Sequence, residues 1–398
     1  MLEDLYDVSQ STLAPRLARH CLAAGLYEEA LPILLRSLRH YWMTCNSEAA
    51  QAFLTLFENT RRHLGITDED RRTIEAQLAR VALGNRTHDL NDAVEILDRI
   101  EPVCRKNGWT GLLARCLHCR STNARVRGEM ALGLGCAQQA LALYEEANDR
   151  RGAAEVLSEI AVYMHRKGDA EEARQAGEEA VRRAEHLDDE HTYGMALLRL
   201  GIVYDPYFTT QALEIFKRVG DSTAVAACFT NLGEIHREQK DFARAEEYYL
   251  QANAVRERIG VGDLVLTNFN LGLTMLEQEK FSEALPYLQK ALLRAGATDS
   301  VGYVGAVRAA MLPIAAFQER WDEFERCIEE AWVHLGDKSF AHSDLARVAR
   351  WGADMALEAG RKALARRSYE LAILQWRALD RPEQVSKITE ILRSFADE

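Results

Sequence analysis

Apolar and small residues recur along this chain at the three- and four-residue spacing of amphipathic helices, and the pattern itself repeats. Two segments, beginning at Phe229 and Phe269, align with each other. In each segment a glycine (Gly233, Gly272) lies 12 residues before one alanine, and a second alanine follows seven residues later. A fixed period of this kind predicts a repeat architecture built from helix pairs.

The same frame recurs along most of the chain, with anchor residues between 32 and 41 positions apart. Small residues at the anchors let two antiparallel helices approach closely. We expect larger apolar residues, such as Leu232, Tyr249, Leu271 and Leu288, to fill the gaps between them. The anchors are Val81, Ser121, Ala161, Gly201, Gly233, Gly272, Pro313 and Ala353.

The pattern predicts an all-α fold, a right-handed α-solenoid of about nine antiparallel helix pairs with additional helices covering the ends. The chain is predicted to change direction at Asp205-Pro206, because proline cannot continue the helical hydrogen bonds, and Pro313 predicts a milder kink. The predicted segments are an N-terminal helical cap with one pair and an extra helix near 47–64 (1–66), repeats with anchors 81, 121, 161 and 201 (67–205), repeats with anchors 233, 272, 313 and 353 (206–380), and a C-terminal capping helix (381–398).

The segments around 229–258 and 268–294 resemble tetratricopeptide (TPR) motifs in their Leu-Gly, alanine and aromatic positions. The 40-residue step resembles the longer TPR variants of kinesin light chains and of bacterial arrays that follow a kinase or a STAND-type NTPase. Bacterial Rap-type regulators are also similar in size and in their use of TPRs, although their N-terminal helices match poorly. The resemblance covers residues 13 to 380 and implies a generic binding scaffold.

Composition narrows the classes of partner. The 398 residues carry 49 Lys and Arg against 61 Asp and Glu, a net charge of −12, which disfavours nucleic acid. No apolar stretch is long enough to suggest a membrane segment, and the N-terminus has no charged leader followed by an apolar core. The eight cysteines lie in apolar helical patterns and are expected to be reduced thiols. A cytoplasmic protein is therefore expected.

The sequence lacks the common motifs for catalysis and cofactor binding. The phosphate loop G-x-x-x-x-G-K-[ST], the zinc motif H-E-x-x-H, the hydrolase motif G-x-S-x-G and the kinase catalytic loop do not occur in the sequence. Cys116 and Cys119, with Cys104 upstream, have a zinc-like spacing but lie in the middle of a predicted helix, without a second pair. We therefore expect no catalysis, cofactor or metal. An enzyme or a metal protein built on helical repeats is the remote alternative.

In a TPR solenoid the first helix of each pair lines the concave groove, and one stripe of that helix points into it. In this chain the predicted stripe includes three apolar residues, Val162, Leu198 and Ile202, besides the residues predicted to bind a partner. The predicted partner-binding residues are Arg115, His118, Thr122, Arg125, Glu155, Ser158, His165, Thr230, Asn231, Glu234, Arg237, Phe269 and Asn270.

Two features of this stripe are unusual. Residues 102–128 contain six Arg or Lys and no acidic residue, which suits an acidic peptide or an anionic ligand. Alternatively, Glu155, the equivalent of Arg115 one repeat later, neutralises that arginine. Asn231 and Asn270 occupy equivalent places, where asparagines of peptide-binding TPR proteins hold a peptide backbone. Alternatively, both are surface asparagines bonded to their neighbours. The carboxylate-clamp pattern of chaperone adaptors is not matched.

The expected function is a non-catalytic scaffold or sensor, the TPR portion of a bacterial signalling protein, that holds a protein or peptide segment in its groove. An acidic segment would suit the basic stretch. The alternative is a ligand-gated regulator that binds a small molecule or signalling peptide and changes the shape of the superhelix. Nucleic acid and membrane are not expected partners, and the oligomeric state stays open.

Overall fold

The structure, a computed structural model, describes residues 13–43, 47–87, 90–127, 129–167, 169–259, 265–297, 301–336 and 341–394. Helices and short turns make up these residues. The chain divides into two compact units, Met1–Ala224 and Val225–Glu398.

The first unit consists of five helix pairs and one additional helix, α3, among the described residues. The pairs are α1/α2, α4/α5, α6/α7, α8/α9 and α10/α11. The helices are α1 (Ala14–Ala23), α2 (Tyr27–Met43), α3 (Ser47–His63), α4 (Arg71–Thr87), α5 (Leu90–Lys106), α6 (Thr110–Arg127), α7 (Met130–Glu146), α8 (Arg150–Lys167), α9 (Ala170–Glu185), α10 (Glu190–Val203) and α11 (Pro206–Val219).

The second unit continues the alternation with four pairs and a closing helix in its described part. The first member of each pair is α12, α14, α16 or α18, and α12 begins at the end of the first unit. The helices are α12 (Ser222–Glu238), α13 (Phe242–Arg258), α14 (Val265–Leu276), α15 (Phe281–Ala297), α16 (Val301–Phe317), α17 (Trp321–Leu335), α18 (Ser343–Glu358), α19 (Lys362–Ala378) and α20 (Pro382–Ser394).

The predicted all-α architecture is confirmed, since the described residues form nine adjacent pairs, the extra helix α3 and the closing helix α20. The superhelical hand and the four segment boundaries stay predictions. The helix containing Gly201 ends at Val203, as expected, and α11 starts at Pro206 with the Asp205 carboxylate accepting from the Tyr207 amide at 2.8 Å. Helix α16 runs through Pro313 to Phe317. The changes of chain direction at these prolines stay predictions.

Close packing explains why small residues recur at the anchors. A Cβ added to Gly233 would lie 2.7 Å from Cε1 of Tyr249, and one added to Gly272 would lie 2.5 Å from Cδ2 of Leu288. Both distances are far below van der Waals contact, so the ring of Tyr249 and the side chain of Leu288 occupy the space that a larger anchor residue would need. The predicted gap-filling role of these two residues therefore has a direct structural basis.

Short turns join many of the consecutive helices, both within and between pairs, and left-handed backbone is common in them. Gly220 ends α11 with a φ of 77° and donates its amide to the carbonyl of Phe216. This conformation costs a glycine little, because no Cβ collides with the backbone. The turn leaves only Gly220 and Asp221 between the end of α11 and the start of α12.

Candidate binding surface

Helices α6, α8 and α10 are the first members of consecutive pairs in the first unit, and buried polar contacts fix α8 on α6. The Tyr163 hydroxyl on α8 donates to the carbonyl oxygen of Ser121 on α6 at 2.6 Å and accepts from the Ser121 hydroxyl at 3.1 Å. Both side chains are buried. Because buried polar groups are costly unless paired, this contact specifies one alignment of the two helices.

The carboxylate of Glu159, on α8, lies at the centre of a polar network and is only 3% exposed. It accepts from Arg199 Nη2 at 3.1 Å and from Thr122 Oγ1 at 3.1 Å, and His118 Nε2 lies 3.6 Å away. Burial alone raises the pKa of Glu159, but the charges of Arg199, His118 and Arg125 outweigh it, and the pKa is lowered. Glu159 is therefore a buried anion that draws cations from α6 and α10.

Arg199 connects α10 to the backbone of α8 as well as to its carboxylate. Its Nη1 donates to Ser158 Oγ at 2.6 Å and to the carbonyl oxygen of Glu155 at 3.1 Å. Ser158 is buried beneath it and donates to the same carbonyl at 2.7 Å. The two neighbouring helices are thus held together by charge-assisted hydrogen bonds, which are stronger than neutral ones. We call the residues His118, Thr122, Glu155, Ser158, Glu159 and Arg199 the polar row.

A second set of contacts surrounds Glu155. Its carboxylate lies 2.9 Å from Arg151 Nε, and Arg151 Nη1 lies 2.9 Å from the carboxylate of Asp189 at the start of α10. Thr192 Oγ1 donates to the same Asp189 carboxylate at 3.0 Å. Glu155 therefore pairs with Arg151, whereas no ion pair joins it to Arg115 within the described residues.

Most of the basic stretch 102–128 is neutralised by acidic residues that lie just outside it. Arg105 lies 2.8 Å from Glu101, Arg120 lies 3.1 Å from Glu101, and Arg127 lies 2.9 Å from Glu129. Lys106 makes a longer contact of 3.9 Å with a glutamate after α3. The two remaining cations, exposed Arg115 and half-buried Arg125, make no ion pair with a described residue.

A third arginine, which the sequence did not single out, joins Arg115. Arg39, on α2, is exposed and makes no ion pair with a described residue. Partial burial lowers the pKa of Arg39, and the positive charges of Arg151 and Arg115 lower it further. The charges of Arg115 on α6 and Arg151 on α8 thus add to the effect of burial on the Arg39 guanidinium.

The other predicted residues of this unit differ in accessibility. His165 is exposed near the end of α8, whereas Val162 and Leu198 are buried. Ile202 is exposed near the end of α10. The predicted stripe of α10 thus points partly into the core, and the residue that reaches the polar row is Arg199, next to Leu198.

In the second unit most of the predicted residues are buried. Thr230 donates to the carbonyl of Ala226 at 2.9 Å and accepts from Arg256 at 3.1 Å. Phe269 and Asn270 are each 5% exposed, and Asn270 Nδ2 has no hydrogen-bond partner in the described part of the chain. A ligand could reach this amide only if the side chain moved. Asn231 is half-buried and already has an interaction within the protein.

Two further predicted residues of this unit, Arg237 and Glu234, belong to an internal ion cluster. Arg237 is 2% exposed, and its guanidinium lies 2.5 Å from the carboxylate of Glu277 on α14 and 2.7 Å from that of Asp344 on α18. Arg347 contacts both carboxylates as well. The chain's own acids therefore occupy the guanidinium of Arg237.

The cluster perturbs two carboxyl groups in opposite directions. Burial raises the pKa of Asp344 by itself, but Arg237, His342 and Arg347 outweigh it, and the pKa is lowered. Half-buried Glu234 has no such close contact, and burial raises its pKa despite the nearby charges of His342 and Arg237. Close pairing, rather than burial, separates the two groups.

The cysteines of the basic stretch and the length of the helices bear on metal ligation and membrane insertion. Cys104 and Cys116 are buried with their sulphurs 3.9 Å apart, and Cys119 is half-buried. Within the described ranges, no group of three or more His, Cys, Asp and Glu residues is arranged to hold a metal ion. Of the helices that the structure describes, none combines the length and apolar character needed to cross a membrane.

Two independent comparisons support the type of fold that the sequence resembles. Residues 210–258, from α11 to the end of α13, match the sequence profile of the tetratricopeptide repeat. Solved structures that match nearly the whole chain share its helix-pair architecture. This is a tetratricopeptide-repeat fold. A comparison with curated protein sequences gives no significant match.

Three solved structures are similar to this TPR array over its length. A Rap protein in complex with Competence and Sporulation Factor has a TM-score of 0.64 at 15% identity, covering 90% of this chain and 99% of its own. The Rap conjugation gene regulator of plasmid pLS20, in complex with the Phr* peptide, has a TM-score of 0.54 at 14% identity, covering 91% and 97%. Aspartyl phosphate phosphatase F from Bacillus subtilis has a TM-score of 0.53 at 14% identity, covering 89% and 95%.

Sequence reasoning did not single out Glu159, Arg199 or Arg39 as residues of the candidate surface. The first two have a signal in the repeat frame, because each lies two residues before an anchor, Ala161 or Gly201. That is the same position that Asn231 occupies before Gly233. Opposite charges at equivalent positions of consecutive repeats predict an ion pair between adjacent first helices. Arg39 has no comparable signal, since α2 precedes the regular repeats.

Proposed function

We propose that this chain is a non-catalytic scaffold or sensor that holds a peptide, or an extended segment of a partner protein, against the first helices of its repeats. The observation that carries the proposal is the polar row together with Arg115 and Arg125. The row is already ordered by internal hydrogen bonds, whereas these two arginines make no ion pair with a residue that the structure describes. Preordered polar groups beside unpaired cations favour binding, because little entropy is lost when a ligand arrives.

The comparisons support a peptide as the ligand. Two of the three similar structures were solved with a bound factor or peptide, and both align with nearly the whole chain. An extended peptide offers backbone amides and carbonyls that Thr122 and His118 could bond, and the unpaired arginines favour acidic side chains on it. The net charge of −12 makes nucleic acid an unfavourable partner. The adjacent buried thiols of Cys104 and Cys116 suit a reducing cytoplasm.

A binding experiment tests this proposal. Immobilised full-length chain is incubated with a randomised peptide library, and bound peptides are identified by mass spectrometry. The double variant Arg115→Glu, Asn231→Ala should lose the peptides that the wild type captures, because one change reverses the charge beside the polar row and the other removes an amide at the equivalent surface of the second unit. Arg36→Glu, an equal charge reversal at an exposed position of α2, serves as the control. Full retention of binding by the double variant would contradict the assignment of this surface.

A ligand-gated regulator is the second candidate, favoured by the similarity to a regulator solved in complex with its peptide. Small-angle scattering of the chain with and without the captured peptides separates the two roles. A change in the radius of gyration supports gating, and an unchanged profile supports a rigid scaffold.

The absence of catalysis needs its own measurement, because one similar structure bears the name of an aspartyl phosphate phosphatase. Hydrolysis of acetyl phosphate, a small acyl phosphate, provides a direct assay. Turnover above that of a heat-denatured sample would overturn the non-catalytic part of the proposal.

A further inference from the structure

Two cysteine side chains of the first unit contact each other across consecutive helices. Cys104 lies in the last turn of α5, and Cys116 lies in the second turn of α6. Both are free thiols that are 0% exposed. Their sulphurs are 3.9 Å apart and form a thiol hydrogen bond. To reach the S–S length of a disulfide, the two sulphurs need to approach by roughly 2 Å.

The surroundings of this pair hold two further thiols that lack the same contact. Both sulphurs belong to a buried cluster that includes Leu97, Leu113 and Cys136. Cys136 makes no hydrogen bond with a residue that the structure describes. Cys119, three positions after Cys116 on α6, is half-buried. Cys119 and Cys136 therefore serve as internal comparisons for the reactivity of the close pair.

The hydrogen bond makes the two thiols chemically unequal. Acceptance of the Cys116 S–H lowers the pKa of Cys104, and this outweighs the opposite effects of burial and of the Glu101 charge. The same bond, together with burial, raises the pKa of Cys116. Because the thiolate is the nucleophilic form of cysteine, Cys104 is suited to react first, and Cys116 is in position to react with its product.

The end of α5 offers a route to the buried sulphurs. Pro102 lies inside α5 and has no amide hydrogen, so the helical hydrogen bond from this position to the carbonyl of Asp98 is missing. Cys104 follows two residues later, and residues 105–108 are exposed. The final turn of α5 is thus held by fewer backbone hydrogen bonds than a regular helix end. Its local opening exposes Cys104 without unfolding of the whole repeat.

We propose that Cys104 and Cys116 are a modification site, a thiol pair that is reduced at rest and that a hydroperoxide converts reversibly to a disulfide between α5 and α6. This inference goes beyond the proposed binding function and does not depend on it. The bond joins α6 to α5 at a position two residues before His118, which belongs to the polar row.

The chemistry balances with hydrogen peroxide as the oxidant. The Cys104 thiolate attacks one peroxide oxygen, the O–O bond breaks, and a sulfenic acid and hydroxide form. The Cys116 sulphur then attacks the sulfenic sulphur, the S–O bond breaks, and water leaves with the thiol proton. The hydroxide takes up the proton that Cys104 released. The two thiols together lose two electrons and two protons, and one peroxide is reduced to two waters.

The test maps cysteine pairs in the full-length chain. Reduced wild type, freed of reductant, is treated with equimolar hydrogen peroxide, unfolded in guanidinium with iodoacetamide to block the remaining thiols, and digested with trypsin. Trypsin places Cys104 in the peptide IEPVCR (100–105) and Cys116 with Cys119 in the peptide CLHCR (116–120). Mass spectrometry then identifies the linked peptides, and fragmentation shows which cysteine of CLHCR carries the link.

We expect IEPVCR linked through Cys116 to exceed any other cystine by about tenfold, because the two sulphurs are already in contact. Dithiothreitol should return both thiols to the reduced form. The matched variants Cys119→Ala and Cys136→Ala should keep the link, and Cys116→Ala should lose it. The wild-type map decides the question even if a core variant folds poorly, which circular dichroism checks.

Three results of the map would overturn the proposal. They are thiols of Cys104 and Cys116 that both remain free after peroxide, a bond between Cys116 and Cys119 as the main product, and irreversible oxidation of Cys104 without a link. Hydrogen exchange provides a second measurement. The disulfide should slow exchange at residues 103–109 by about tenfold, because it prevents opening of the final turn of α5. Exchange that is equal in the reduced and linked chains would contradict the proposed opening.

Discussion

Two glycines of α7, only two positions apart, should respond oppositely to the same substitution. A Cβ on Gly133 would collide with the Tyr163 hydroxyl and would lie 2.6 Å from Cζ of that ring, whereas a Cβ on Gly135 meets no atom within 4 Å. The Tyr163 ring cannot move without losing its hydrogen bonds to Ser121, the contact that aligns α8 on α6. Gly133→Ala therefore tests the helix alignment beneath the polar row.

The magnitude follows from three contributions. Overpacking of a core costs about 1–3 kcal/mol, and loss of the Tyr163 hydrogen bond costs about 1 kcal/mol more. Replacing glycine by alanine within a helix stabilises the folded state by about 1 kcal/mol. Gly133→Ala should thus destabilise the chain by roughly 1–3 kcal/mol, whereas Gly135→Ala should stabilise it by up to about 1 kcal/mol.

Urea unfolding followed by far-ultraviolet circular dichroism measures both variants against the wild type. Hydrogen exchange then locates the effect, since only Gly133→Ala should increase exchange in α6 and α8. Equal stability of the two variants would refute the packing of Tyr163 against α7. A double variant with Tyr163→Phe should recover part of the loss, because removing the hydroxyl removes the closest collision.

Further predictions concern the two ion networks. Because the pKa of Asp344 is lowered in the folded state, its contribution to the free energy of unfolding is complete above the ordinary aspartate pKa, near 4. That stabilisation is lost as the pH falls through this value toward the folded-state pKa. Acid titration of the thermal midpoint should therefore show a smaller drop in Asp344→Asn than in the wild type, and identical curves would contradict the pairing. Arg237→Met should cost about 3–5 kcal/mol in urea unfolding, because it leaves the carboxylates of Asp344 and Glu277 without their cation. Glu159→Gln should cost about 1–3 kcal/mol in the same assay by weakening the Arg199 contact, and a cost under a few tenths would show that the network is not stabilising.

Much of the fold could be predicted because the packing contacts of a repeat join residues that are close in sequence. Gly233 on α12 and Tyr249 on α13 lie on consecutive helices joined by a single turn. Their contact needs only the geometry of two antiparallel helices. The same spacing at Gly272 and Leu288 provides a second copy, and repetition makes the pattern recognisable.

The candidate site was less predictable, because side-chain direction depends on a helix rotation that apolar spacing does not specify. The predicted stripe of α10 included Leu198, which is buried, whereas its neighbour Arg199 forms the ion pair. A comparison of equivalent repeat positions would have found Arg199 opposite Glu159. The effect of the Arg115 charge on Arg39 could not be found in this way, since it depends on how α2 and α6 pack with the three helices α3, α4 and α5 that separate them in the chain.

The contact between Arg237 and Asp344 gives the second unit an unusual route of unfolding. In a repeat array each repeat normally contacts only its neighbours, so the terminal repeats can unfold one at a time. Here a buried ion pair closes a loop of 107 residues, from α12 to α18. Unfolding of either helix alone would leave a buried charge without its ion-pair partner, at a cost of several kcal/mol. We therefore expect α12 and α18 to open together, so that this part of the solenoid melts as one cooperative block.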